Sequence, residues 1–170
     1  LINEHLGNSL SKISNELDKL FEIKKKEKVI EPADIEKYVG ISKEFNNFEL
    51  RKALGEKNYN KAFQIAQYFT ENPSSNPLVV TISTIFDFFN KLLIFHSNQS
   101  LGDRKMASIL GVNPYFLNEY KLASSNYNLK EVVKIISLIR DYDMYSKGVG
   151  IKKADSFLLK EMVVRIININ

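Results

Sequence analysis

Two histidines, a lysine run, a glycine-flanked basic loop and one helix-turn-helix cadence are where this 170-residue chain could carry chemistry or recognition. His5 and His96 lie in different segments, and neither has a partner at metal-ligand spacing. His96 follows a long apolar stretch, where an imidazole is expected to meet the last carbonyls of a helix. The run Gly148-Val149-Gly150-Ile151-Lys152-Lys153 has the composition of a phosphate loop. It lacks the GxxxxGK[ST] spacing and follows no strand, so it reads as a connection between helices. Asp141 and Asp143 project from different sides of a helix and cannot share a proton as an acid–base pair. There is no cysteine, which excludes disulfides and thiolate metal sites and agrees with a reducing cytoplasm. No set of reactive groups converges, so the chain is expected to be non-catalytic, with no cofactor and no metal.

Recognition has two candidate sites. Lys24, Lys25, Lys26 and Lys28, broken only by Glu27, could grip phosphates, but a solvated loop or frayed helix end is the reading preferred for the run. From Lys105 to Leu122 the order is that of a helix-turn-helix. Met106, Ala107 and Leu110 precede Gly111 at the turn, Val112 follows, and Leu117 and Tyr120 face inward from the second helix. Its outward candidates for nucleic-acid contact are Tyr115, Asn118, Glu119 and Lys121. No arginine is available to read guanine, and Glu119 would face phosphate charge. A tight helical pair used for packing is the reading adopted.

The elements behind these candidates are all helical. Leu10, Ile13, Leu17, Leu20 and Phe21 recur at three and four residues and make one stripe of a helix over about 8–23. Pro32 opens a short helix with Ile35, Tyr38 and Val39, and Gly40 ends it. Asn46 and Glu49 have capping-box spacing ahead of Leu50 and Leu54. A helix over about 59–71 carries Ala62, Phe63, Ala66 and Phe69. Asn76-Pro77 signals the start of the most apolar stretch, 78–96. That stretch is too long for a strand, and Asp87, Asn90 and Lys91 in its middle argue against a membrane span. It is expected to be a central helix, surrounded on most sides and the most buried element. Ser100 is expected to cap a helix ending near Leu110, and Asn113-Pro114 to start one reaching about Ser124. Asn128 with Glu131 forms a second capping box for a long helix with Val132, Val133, Ile135, Ile136, Ile139 and Tyr142. A final helix from about Asp155 carries Leu158, Leu159, Met162, Val163 and Ile166.

Composition agrees with that pattern. A hydrophobic share of 44% and a charged share of 26% belong to a globular chain, and seven Gly with four Pro leave long uninterrupted elements. The formal net charge of +4 permits phosphate contact without demanding it. The chain opens on Leu1 with no signal-like segment, which suggests a piece of a longer protein.

The order of motifs resembles the delta subunit of the bacterial DNA polymerase III clamp loader. Leu6-Gly7-Asn8-Ser9-Leu10 leading to Asn15-Glu16-Leu17-Asp18-Lys19-Leu20 is similar to the last helix of that family's lid domain, followed by the short acidic helix from Pro32 to Val39. Phe45-Asn46-Asn47-Phe48-Glu49-Leu50 with Ala53-Leu54 resembles the lead-in to its collar domain. The start Asn76-Pro77-Leu78-Val79-Val80 and the late Asp143, Lys147 and Gly148 follow in the same order. The resemblance implies an all-α fold, with residues 1–40 a lid remnant and 44–170 a helical collar. It further implies a non-catalytic assembly role in DNA replication and partnership with the collars of other loader subunits. Contact with the sliding clamp would come only through an N-terminal domain that this chain lacks, and contact with DNA through the assembled complex. The rival readings are a nucleic-acid-binding helical domain and an unrelated helical accessory domain of an enzyme.

Overall fold

Asparagines start four of the helical elements. The side-chain oxygens of Asn46, Asn58 and Asn128 accept the backbone N–H groups of Glu49, Lys61 and Glu131 at 2.9, 3.2 and 3.0 Å. Glu131 returns the favour, accepting the Asn128 N–H at 2.6 Å, so the expected capping box is complete there. Asn113 caps a single 3-10 turn through the Tyr115 N–H at 3.0 Å. Each such cap contributes about 1 kcal/mol by satisfying an orphan donor.

The computed structural model describes residues 10–24, 29–31, 34–35, 45–150 and 153–169. Among them the elements are α1 (Leu10–Ile23), α2 (Asn47–Gly55), α3 (Tyr59–Glu71), α4 (Leu78–Ser97), α5 (Asp103–Leu110), the 3-10 turn Pro114–Phe116, α6 (Leu117–Asn126), α7 (Leu129–Ser146) and α8 (Asp155–Ile167). No strand occurs among the described residues, and the all-α class read from the periodicity holds. The short helix expected over Pro32–Val39 falls mostly outside the described residues.

Two starts differ from expectation. Helix α4 begins at Leu78 with Pro77 as its cap, while the Asn76 amide donates back to the Asn72 carbonyl at 3.1 Å. Asn76 therefore closes the turn after α3 instead of opening α4. Helix α5 begins at Asp103 behind Gly102, not at Ser100, because a turn from Asn98 to Leu101 intervenes, closed at 3.0 Å.

Helix α4 presents Leu78, Ile82, Ile85, Phe88, Phe89, Leu92 and Phe95 as one buried stripe, spaced by three and four. It packs most extensively on α7, whose buried side is Val132, Ile135, Ile139 and Tyr142, and also meets α2, α5 and α6. Helix α8 lays Leu158, Leu159, Met162, Val163 and Ile166 against α3 and α7. On α3 the buried residues are Ala62, Ile65, Ala66 and Phe69, the two alanines keeping it slim between its neighbours α2 and α8. Each fully buried Leu, Ile or Phe contributes about 1.5–3 kcal/mol by leaving water.

The central helix is less enclosed than expected. Val79, Val80 and Phe86 on its outer side are 50%, 51% and 42% exposed. Helix α2 is the more enclosed, burying Phe48, Leu50, Arg51, Ala53, Leu54 and Gly55 of its 9 residues. Apolar content records a helix's tendency to be buried, not how many neighbours it finds. Helix α4 is also long and apolar enough to cross a membrane by length and composition. Here its stripe is spent on the bundle, and Asp87 and Lys91 pair at 2.8 Å.

Candidate functional site

The junction of α2 with α6 holds a buried arginine and a set of long-range polar contacts. Arg51 is 7% exposed, and its guanidinium lies 4.6 Å from the Phe48 ring centre and 5.8 Å from those of Phe88 and Phe116. Its Nη2 donates to Glu119 Oε2 at 3.3 Å. The sequence placed Glu119 among outward candidates, where it would oppose phosphate. Its carboxylate is instead spent on Arg51, and the aromatic faces add cation–π attraction to the pair.

One turn further along, the open end of α2 is closed by the end of α6. Tyr127 donates its hydroxyl to the Leu54 carbonyl at 2.8 Å, and the Asn126 amide donates to the Gly55 carbonyl at 2.9 Å. The Asn126 bond supplies the Gly55 carbonyl at the helix end, and the Tyr127 hydroxyl adds a second donor to the Leu54 carbonyl, which also accepts the Lys57 N–H at 3.0 Å. Burial pushes the Tyr127 phenol well above its ordinary range, and the Glu131 carboxylate adds to the effect. The Lys57 ammonium sits 4.5 Å from the centre of the same ring. His96 donates from Nε2 to the Tyr127 carbonyl at 2.8 Å and accepts the Gln99 amide at Nδ1, 3.3 Å away. It was expected to meet the last carbonyls of its own helix. It reaches across to the start of α7 instead and ties the two longest helices together end to start.

The helix-turn-helix cadence is a real structural pair. Gly111 takes φ 63°, the left-handed conformation that an L side chain resists, and ends α5. Met106, Ala107, Leu110, Leu117 and Tyr120 are buried, as their spacing required. Of the outward candidates, Tyr115 is half-exposed with its ring edge against Phe116, and Asn118 is exposed. Lys121 pairs with Asp103 at 2.7 Å, linking the two helices. Lys24 pairs with Asp34 at 2.8 Å and is largely covered. Lys25, Lys26, Lys28 and His5 lie outside the described residues.

Between α2 and α6 a cleft of about 200 Å³ opens. Its floor is Phe88 and Gly55, and Leu122, Asn118 and Glu119 form one wall opposite Lys52 and Glu56. The approach at the floor requires glycine, since a Cβ on Gly55 would stand 2.9 Å from Phe88 Cζ. Nothing in the periodicity of the sequence marks Gly55 as a point of close approach.

Elsewhere the charges are matched locally. Asp141 pairs with Arg140 at 3.1 Å and Asp143 with Lys147 at 2.6 Å, each in its own ion pair. Lys61 pairs with Glu49, Lys91 with Asp87, and Lys153 with Glu161 at 2.9 Å. Among the described residues no three His, Asp or Glu side chains come together as a metal site. Of the glycine-flanked basic run, Gly148, Val149, Gly150 and Lys153 lie between α7 and α8, and Ile151 and Lys152 lie outside the described residues.

No protein-family model matches the chain. No curated protein matches it either. Among solved structures it is similar to the Bacillus subtilis DNA clamp loader delta protein (YqeN), with a TM-score of 0.62 and 23% sequence identity. The likeness covers 98% of this chain and 48% of that one, so the chain spans about half the length of the protein it matches. At that identity the likeness is one of fold. The architecture read from motif order and periodicity is the fold that this chain shares with part of a clamp loader delta protein.

Proposed function

We propose that this chain is a non-catalytic assembly module of a replicative clamp loader, with residues 1–40 a lid remnant and 44–170 a collar. The observation that carries the proposal is the shared fold with a clamp loader delta protein over 98% of the chain. The order of motifs along the sequence supports the same reading independently. On this reading the collar packs against the collars of other loader subunits in the cytoplasm. Apolar anchors would supply the affinity and polar rims the choice of neighbour. The sliding clamp is met only through a separate N-terminal domain, and DNA only through the assembled complex. The chain itself neither binds nor hydrolyses ATP.

The rival is direct nucleic-acid binding through the α5–α6 pair and the lysine run. Lys24, Lys121 and Glu119 already have intramolecular partners, which favours the assembly reading. Both are tested by presenting the purified chain separately with each loader subunit of its organism, with the sliding clamp and with a short duplex over a salt series. Binding to a loader subunit without binding to the clamp is the expected result. Clamp binding with no subunit binding overturns it. Duplex binding that weakens steeply with salt promotes the rival.

A further inference from the structure

The cleft between α2 and α6 is too small for a cofactor, whose sites run to about 300–1,000 Å³, and of a size for one side chain. Its floor is the Phe88 ring, and Leu122, 47% exposed, stands at its wall. The charges at this wall divide into two kinds. Glu119 is matched from within by Arg51 at 3.3 Å. Lys52 on α2 and Glu56 just past its end both line the cleft and have no ion-pair partner among the described residues. Most other lysines on this bundle are matched, as Lys57, Lys61, Lys91, Lys121 and Lys147 are. An apolar seat flanked by one unmatched cation and one unmatched anion has the form of an interface anchor with a charged rim.

We infer that this cleft is a docking seat for a helix of another loader subunit. That helix would present one large apolar side chain, with a basic residue one turn to the Glu56 side and an acidic residue one turn to the Lys52 side. The inference rests on the assembly reading above and goes beyond it by naming the surface and the chemistry of the partner. Nucleic acid does not suit the seat, because two of its charged lining groups are carboxylates and the cation beside them is single.

Three variants test it in the full chain: Leu122→Asp, Asn118→Arg and the charge exchange Lys52→Glu with Glu56→Lys. All change side chains that are at least partly exposed, and retention of the helical circular dichroism and melting temperature checks the fold. Binding to each loader subunit is then measured by surface plasmon resonance. The expected result is at least a tenfold loss with Leu122→Asp and Asn118→Arg, and a several-fold loss with the charge exchange at low salt that fades at high salt. Unchanged binding by all three variants removes the seat and leaves the assembly reading standing. Absence of binding by the unsubstituted chain to every loader subunit removes both. Tightened duplex binding by Asn118→Arg with no effect on subunit binding would assign the surface to nucleic acid instead.

Discussion

The α4–α7 packing and the α2–α6 junction are held together in different ways. Where α4 packs on α7, both helices present apolar stripes that are nearly fully buried, with Phe89 and Leu92 on one and Val132, Ile135 and Ile139 on the other. At the α2–α6 junction three polar ties run between residues far apart in the chain: Arg51 to Glu119, Gly55 to Asn126 and Leu54 to Tyr127. Their sequence separations of 68, 71 and 73 differ by only a few residues, so the ties lie close together and set how the end of one helix meets the other. The apolar contact supplies most of the stability, because it scales with area removed from water. The polar ties supply direction, since a buried donor or acceptor accepts few geometries and is costly when left unmade.

The largest effects should come from the apolar side. Phe89 is fully buried and meets Tyr127 edge-on at 5.5 Å. Phe89→Ala is expected to cost about 3–5 kcal/mol, read from the urea midpoint. Phe89→Asp should leave no cooperative unfolding transition, because an unpaired charge would enter an apolar site. A stable Phe89→Asp variant would show that α4 is not where the interior lies.

The next effect separates the two kinds of bonding. Arg51→Met removes the buried cation that donates to Glu119 at 3.3 Å, where the glutamate side chain is only 17% exposed. Breaking one side of such a pair costs about 3 kcal/mol, whereas replacing both sides by groups of similar shape is often nearly neutral. The double variant Arg51→Met with Glu119→Gln should therefore recover at least 1 kcal/mol over Arg51→Met alone. Simple additivity in that cycle would mean that the pair is not coupled and that the aromatic cage alone holds Arg51.

The sequence made the first region legible and the second opaque for the same physical reason. Apolar residues announce burial by spacing, and so Val132, Ile135, Ile139 and Leu158, Leu159, Met162 were placed correctly. Asn46 and Asn128 cap their helices because cap and donor are three residues apart, but the return bond of the box forms at Asn128 and not at Asn46, where Glu49 pairs with Lys61. Partners about seventy residues apart leave no such local trace. Glu119 read as an outward face and His96 as a helix-end cap, while nothing local marked Arg51 as buried or Gly55 as the seat of a ring. The outer side of α4 was overstated because composition does not count neighbours. The candidate cleft was invisible, since it arises only where α2 and α6 converge.

Tyr127 gives a smaller effect with a definite pH dependence. Tyr127→Phe removes the hydroxyl bond to the Leu54 carbonyl and should cost about 1–1.5 kcal/mol near neutrality. The folded state holds the phenol proton more tightly than the unfolded chain does, because burial raises its pKa. The protonated phenol therefore contributes fully below the unfolded pKa of about 10, and the contribution is lost as pH rises above that value. Urea titrations between pH 8 and 11 should show the unsubstituted chain losing stability more steeply than Tyr127→Phe at the alkaline end. Parallel curves would place the hydroxyl in contact with water and undo the polar tie.

The smallest effect concerns the pair on the outer side of α5 and α6. Lys121 and Asp103 are 45% and 69% exposed, so their 2.7 Å contact is screened by water and salt. Lys121→Ala should change stability by less than about 0.5 kcal/mol. Its value lies in a second readout. If α6 lay in a DNA groove, Lys121 would meet phosphate, and its removal would weaken duplex binding and lower the salt slope by about one counterion. If α5 and α6 are a packing pair, the ammonium already has its counter-charge in Asp103, and the variant should behave like the parent toward duplex and loader subunits alike. A lowered salt slope in Lys121→Ala would transfer this surface from protein assembly to nucleic acid. An unchanged slope, alongside a lost subunit contact in Leu122→Asp, would assign two adjacent residues of one helix to different roles: Leu122 to the partner and Lys121 to the bundle itself.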